Sequence, residues 1–85
     1  MNIERRKSPR RAVRQPAIII NGDGSILGPC MMLDVSATGA RLRPKLLEAV
    51  PHEFVLVLSR DGGLRRQCTV AWRAGTTMGV RFITS

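Results

Sequence analysis

Residues 67–83 read QCTVAWRAGTTMGVRFI, and this stretch decides the class of fold. Apolar side chains occupy every second position in two runs, residues 68–72 and 78–82, and Gly75 lies between them. An alternation with a period of two is typical of a strand that is buried on one face, and the glycine indicates a turn. The stretch therefore predicts a β-hairpin, with Trp72 packed in the core.

The same patterns continue toward the N-terminus. Residues 15–20 end in a β-branched run, and the Asn-Gly-Asp-Gly that follows favours a turn. Further strands are predicted over residues 29–35, 40–43 and 54–58, with one short helical turn within residues 44–50. With so little helix to cover a sheet edge, a closed sheet is favoured. We predict an all-β fold, a six-stranded antiparallel small β-barrel with little helix.

Positive charge is concentrated at the N-terminus. The chain of 85 residues has a net charge of +8, and residues 1–14 contain six basic residues against Glu4 alone. Ser8-Pro9 discourages helix there, because the residue before a proline prefers extended conformations. We therefore divide the chain into a flexible basic arm, residues 1–14, and a barrel, residues 15–85. An arm of this charge favours an anionic partner.

Several classes of protein are disfavoured by composition. Cys30 and Cys68 lie in apolar runs and are predicted to be buried thiols rather than a disulfide. His52 is the only histidine, and its distance from both cysteines argues against a metal site. No paired carboxylates, Cys/His couple or phosphate-binding loop is found, so we predict a protein that is not an enzyme. Without a signal peptide or a membrane-spanning apolar run, we expect it to be cytoplasmic.

Two short motifs carry chemistry. Arg6 and Arg10 form an R-x-x-x-R pair in the arm, and Asp34, Ser36 and Gly39 form a D-x-S-x-x-G turn. Arginine presents a planar set of donors that suits phosphate and the guanine edge, and a carboxylate accepts hydrogen bonds from guanine. Each motif alone has a structural explanation: a basic tail is often only solvated, and aspartate and serine form turns. Their joint order on an all-β chain favours binding of an anionic nucleotide.

Together these features resemble the PilZ domain family. Residues 4–10, ERRKSPR, look like the start of such a domain, and the D-x-S-x-x-G matches its second motif. Residues 70–73 and 78–82 are similar to the closing hairpin of the family. The resemblance covers essentially the whole chain, and it implies a bacterial domain that binds the second messenger cyclic di-GMP, with no cofactor and no metal.

The resemblance also implies a role for each motif residue. Arg6 and Arg10 would hold the phosphates and guanine faces of cyclic di-GMP, and Asp34 would bind a guanine edge. Ser36 would contact a phosphate or guanine, and Gly39 would keep the turn open to the ligand. Two further arginines are expected to assist, namely Arg5 and Arg14. Since the sequence ends at Ser85 without the C-terminal helix or output domain of other members, we expect the signal to pass to a separate partner protein.

Two alternatives stay open at this point. An isoelectric point near 11.5 suits a small barrel that binds nucleic acid. Such a protein stacks bases on aromatic side chains, and this chain has only three aromatic residues, so nucleic acid is disfavoured. The other alternative is a protein-interaction module of the same fold that binds no nucleotide.

Overall fold

The computed structural model of this protein describes residues 11–83, and nearly all regular structure within them is β. A single 3₁₀ turn, Leu47–Ala49, joins the third and fourth strands. No helix in residues 11–83 has the length and apolar character needed to cross a membrane. The described residues form six strands: β1 (Arg11–Ile20), β2 (Ile26–Val35), β3 (Gly39–Pro44), β4 (Glu53–Val57), β5 (Arg65–Ala74) and β6 (Thr77–Phe82).

The strands form a closed antiparallel barrel in the order β1-β2-β3-β6-β5-β4. The last part of β1 closes it, since Ile18 pairs with Val57 and Ile20 pairs with Val55. Neighbouring strands in the chain are joined by turns, apart from β3 and β4, which the 3₁₀ turn connects across one end. The predicted six-stranded all-β barrel is confirmed.

Inward side chains from all six strands form one core. Leu42, Leu56 and Met78 are fully buried, as the alternation of their strands predicts. Leu47 and Val50 pack at one end of this core, and the guanidinium of Arg73 donates to their carbonyl oxygens at 3.1 Å and 2.8 Å, respectively. These bonds hold the 3₁₀ turn against β5, at the end of the barrel opposite to the D-x-S-x-x-G turn.

The first strand begins earlier than the sequence suggested. Arg11 pairs with Val35 and Ala12 with Asp34, so residues 11–14 belong to β1 and not to an irregular arm. A register shift between Ala12 and Gln15 accommodates this polar segment. The sequence of these polar residues does not show the alternation typical of a strand. They nevertheless adopt a strand conformation because their backbone groups can pair with those of β2. The remaining predicted arm, residues 1–10, lies outside the described residues.

The prediction that Trp72 lies in the core is wrong. A register shift in the β5–β6 ladder between Val70 and Trp72 places the tryptophan opposite Gly79 on the outer face. Its side chain is 42% exposed. One extra residue in a strand moves the side chains that follow it to the other face of the sheet. The alternation that places Cys68 and Val70 in the core therefore does not extend to Trp72, which follows the bulge.

Both cysteines are buried free thiols, as predicted. Burial raises the pKa of each thiol to about 12, because the apolar surroundings disfavour the thiolate. At pH 8 the folded protein therefore has roughly a thousandfold fewer thiolates than its unfolded chain, and the thiolate is the reactive form.

We therefore expect Cys30 and Cys68 to resist the thiol reagent DTNB in the native protein at pH 8. Both should react completely once the barrel is unfolded in guanidinium chloride. The absorbance of the released thionitrobenzoate measures the rates. Fast reaction of either thiol under native conditions would contradict the buried placement.

Candidate functional site

The D-x-S-x-x-G turn joins β2 to β3 at one end of the barrel. The Ser36 backbone N–H donates to the carbonyl oxygen of Gly39 over 2.8 Å. The Ser36 hydroxyl accepts from the backbone N–H of Thr38 at 3.2 Å and lies 3.4 Å from the same Gly39 oxygen. Ser36 is thus a turn former, as its structural explanation predicted, and the residue is partly exposed.

A glycine is needed at position 39 because β3 and β6 approach each other closely there, and not because the backbone adopts an unusual φ angle. Gly39 pairs with Arg81 on β6, and a methyl group in place of its hydrogen would overlap the carbonyl oxygen of Val80. No side chain fits at this position unless β3 and β6 move apart. Gly39 therefore brings β6, with its outward Arg81, directly beside the turn.

Asp34 is the one charged side chain that is buried within residues 11–83. Its Oδ2 lies 3.0 Å from Nε of Arg41, its cross-strand neighbour on β3. Burying a carboxylate is costly unless it is paired, so this ion pair explains how Asp34 is tolerated there. The Arg41 side chain is 47% exposed, and it holds the carboxylate in a fixed orientation near the surface.

One cross-strand row continues from this ion pair around the outside of the barrel. Asp34 pairs with Arg41, Arg41 pairs with Gly79, and Gly79 pairs with Trp72. Three strand spacings of roughly 4.8 Å make the row about 14 Å long. It presents a carboxylate, a guanidinium and an indole in sequence on adjoining strands. We call the four residues Asp34, Arg41, Gly79 and Trp72 the outer row.

A recess of about 180 Å³ lies between the turn and the indole. Thr38 and Gly39 line one side and Trp72 lines the other, with Gly79 and Arg81 between them. The missing side chain at Gly79 leaves room for the indole, since a methyl group there would overlap its Nε1 atom. The recess thus brings an indole, an exposed guanidinium and a hydroxyl together around one small concave surface.

The structure brings together three of the predicted site residues, namely Asp34, Ser36 and Gly39. Arg14 lies exposed on β1, in the irregular stretch of the β1–β2 ladder. Ala12 pairs with Asp34, so the start of β1 lies beside the D-x-S-x-x-G turn. The hypothesis that both sequence motifs bind one ligand requires the chain to enter the barrel near this turn. The other predicted ligand arginines, Arg5, Arg6 and Arg10, lie outside the described residues.

Sequence reasoning missed three residues of this surface. The alternation of residues in β3 and β6 is consistent with outward positions for Arg41 and Arg81, but nothing in the sequence indicated that both would flank the turn. Trp72 was assigned to the core. The outward alternation of arginines on β3 and β6 was the available signal, and only the strand order β3-β6 places them side by side.

The family model for the PilZ domain matches residues 4–85, essentially the whole chain. This protein belongs to the PilZ domain family. No curated protein matches it. PilZ domains are generally receptors for cyclic di-GMP rather than enzymes, and the match includes both the R-x-x-x-R pair and the D-x-S-x-x-G turn.

Proposed function

We propose that this PilZ domain is a non-catalytic cytoplasmic receptor that binds cyclic di-GMP over the outer row and transmits the signal to a partner protein. The observation that carries the proposal is the joining of Asp34 and Ser36 to Arg41 and Trp72 on one surface, beside the point where the chain enters β1. Carboxylate, hydroxyl, guanidinium and indole are groups that recognise a guanine nucleotide.

Each group has a definite task in this proposal. The Asp34 carboxylate accepts hydrogen bonds from the N–H groups of a guanine edge, and Arg41 keeps it oriented. Ser36 and the backbone around Gly39 contact a phosphate oxygen or the same base. Trp72 stacks on a guanine face, which contributes about 1–3 kcal/mol in other nucleotide sites. Arg6 and Arg10 supply cationic partners for the two phosphates, with Arg5 and Arg14 assisting.

Calorimetric titration of the purified domain tests the proposal. Cyclic di-GMP is the ligand, and GTP and a short DNA duplex are the controls. We expect saturable binding of cyclic di-GMP, with neither control competing. Binding of all three with equal affinity, falling steeply as salt is raised, would instead indicate nonspecific attraction to phosphate.

Trp72 gives an independent optical test, because it is the only tryptophan. Stacking of guanine on the exposed indole should quench its fluorescence in proportion to the bound fraction. Replacing Trp72 with leucine should weaken binding about tenfold, since it removes one stacking contact of about 1.4 kcal/mol. The variant should keep its fold, as the side chain lies outside the core. An unchanged emission spectrum at saturation would place the ligand away from this residue.

A further inference from the structure

A different part of the barrel surface is apolar. On the outer face of β1 and β2, Pro16 pairs with Met31 and Ile18 pairs with Pro29. Both prolines are exposed, and the Ile18 side chain is 38% exposed. On β3 and β6, by contrast, the outward positions carry arginine, glycine or threonine. The apolar face thus lies on β1 and on β2, and β2 is the strand that leads into the D-x-S-x-x-G turn.

Two grooves cross this face. One, of about 480 Å³, lies along Met31 toward β3, and the other, of about 350 Å³, lies along Ile18 toward Val57 of β4. Pro16 and Pro29 line both grooves, and we refer to the apolar lining residues Pro16, Ile18, Pro29 and Met31 as the floor. We call the two grooves together the proline trough. The prolines have no backbone N–H, so the floor of the trough offers apolar contact rather than hydrogen-bond donors.

The rim of the proline trough is basic. Arg43 and Lys45 line one groove and Arg60 lines the other, and no acidic side chain lines either. The three cations stand at opposite sides of an apolar floor. Charge complementarity therefore selects an occupant that carries apolar side chains between negative charges.

We propose that the proline trough is a docking surface for an acidic segment of a partner protein, which inserts apolar side chains between Pro16 and Pro29. A protein segment fits better than a membrane, because the apolar surface here is recessed between side chains, whereas insertion into lipid requires protruding apolar groups. The proposal concerns a surface that shares no residue with the outer row, so it does not rest on cyclic di-GMP binding.

A library of random 12-residue peptides displayed on phage is the probe. Panning against the immobilised domain should enrich sequences that combine Asp or Glu with Leu, Ile or Phe. A selected peptide, made synthetically, is then titrated by fluorescence anisotropy. Charge reversal at the rim, Lys45→Glu with Arg60→Glu, should weaken its binding at least about tenfold, and so should Ile18→Gln with Met31→Gln on the floor.

Matched controls separate the trough from general attraction to a basic protein. Arg66→Glu reverses an exposed charge outside both grooves, and Ile26→Gln removes an apolar side chain that is 73% exposed. Both should bind the peptide within about twofold of the parent. Circular dichroism confirms that each variant is folded.

Three results would overturn the proposal. The first is an equal loss of peptide binding in the trough and control variants. The second is binding to vesicles containing phosphatidylserine, abolished by the trough variants, with no peptide enriched. The third is a dimer in sedimentation velocity that Ile18→Gln dissociates, which would make a second copy the occupant. Titration of the trough variants with cyclic di-GMP keeps the two sites distinguishable, since its affinity should not change.

Discussion

Replacing Arg10 or Asp34 with alanine is expected to weaken cyclic di-GMP binding about a hundredfold in each case. Truncating one member of a desolvated, hydrogen-bonded charge pair costs about 2–5 kcal/mol, and about 2.8 kcal/mol corresponds to two orders of magnitude. The two variants probe opposite sides of the proposed contact, one from each sequence motif. Calorimetric titration with cyclic di-GMP measures both.

The two substitutions differ in what they do to the protein itself. Asp34→Ala removes the buried partner of Arg41, and the arginine left behind is 47% exposed and can be hydrated. We therefore expect the fold to survive, with thermal unfolding as the check. Arg60→Ala is the matched control, since Arg60 is exposed in the turn between β4 and β5 and has no role in the proposed site. If both site variants bind as the parent does, the assignment of the site is wrong.

Leu42→Ala is expected to lower the free energy of unfolding by about 3 kcal/mol. Leu42 is completely buried, and its neighbours across the sheet are Met32 and Met78. Removing a leucine side chain from a packed core costs about 2–5 kcal/mol, through lost burial and the cavity that stays behind. A domain of this size has a small total stability, so the loss is a large part of it.

The control for this prediction lies four residues further along the chain. Leu46 has the same side chain but is 54% exposed, so Leu46→Ala should change the free energy of unfolding by less than about 0.5 kcal/mol. Urea denaturation followed by circular dichroism measures both variants. Similar losses in the two proteins would contradict the placement of β3 in the barrel wall.

Stability and binding are connected through β3. This strand begins at Gly39 in the turn, carries Arg41 on its outer face and Leu42 on its inner face. The ion pair to Asp34 therefore rests on a strand that is fixed by the core. Leu42→Ala should accordingly reduce cyclic di-GMP affinity only to the extent that it unfolds the domain.

Local sequence patterns determined most of the fold. The alternation in residues 67–83 and the turn residues between the strands predicted six strands and a small barrel, because the two faces of a half-buried strand select different side chains. The order of Asp34, Ser36 and Gly39 predicted a turn with ligand chemistry, since these residue types act within a few bonds of one another. The excess of basic residues before residue 15 predicted an anionic partner.

Features that depend on strand pairing could not be predicted in this way. Residues 11–14 join β1 because β2 lies beside them, and Trp72 turns outward because a bulge changes the register of β5 against β6. Period-two patterns contain no information on where a bulge falls, and a single extra residue exchanges the two faces of a strand. The sequence therefore identified Trp72 as a strand residue but assigned it to the wrong face.

The composition of the site was likewise decided by tertiary structure. Asp34 and Arg41 are separated by a turn, whereas Arg41 and Trp72 are far apart in the chain and share the outer row only because β3 pairs with β6 and β6 with β5. Gly39 looked like a turn residue, and it is needed because Val80 approaches too closely for a side chain. The sequence by itself determined most of the strands and the D-x-S-x-x-G turn, because those follow from neighbouring residues. Which side chains share the outer row followed from strand order and bulges, because these arise from packing across the whole barrel.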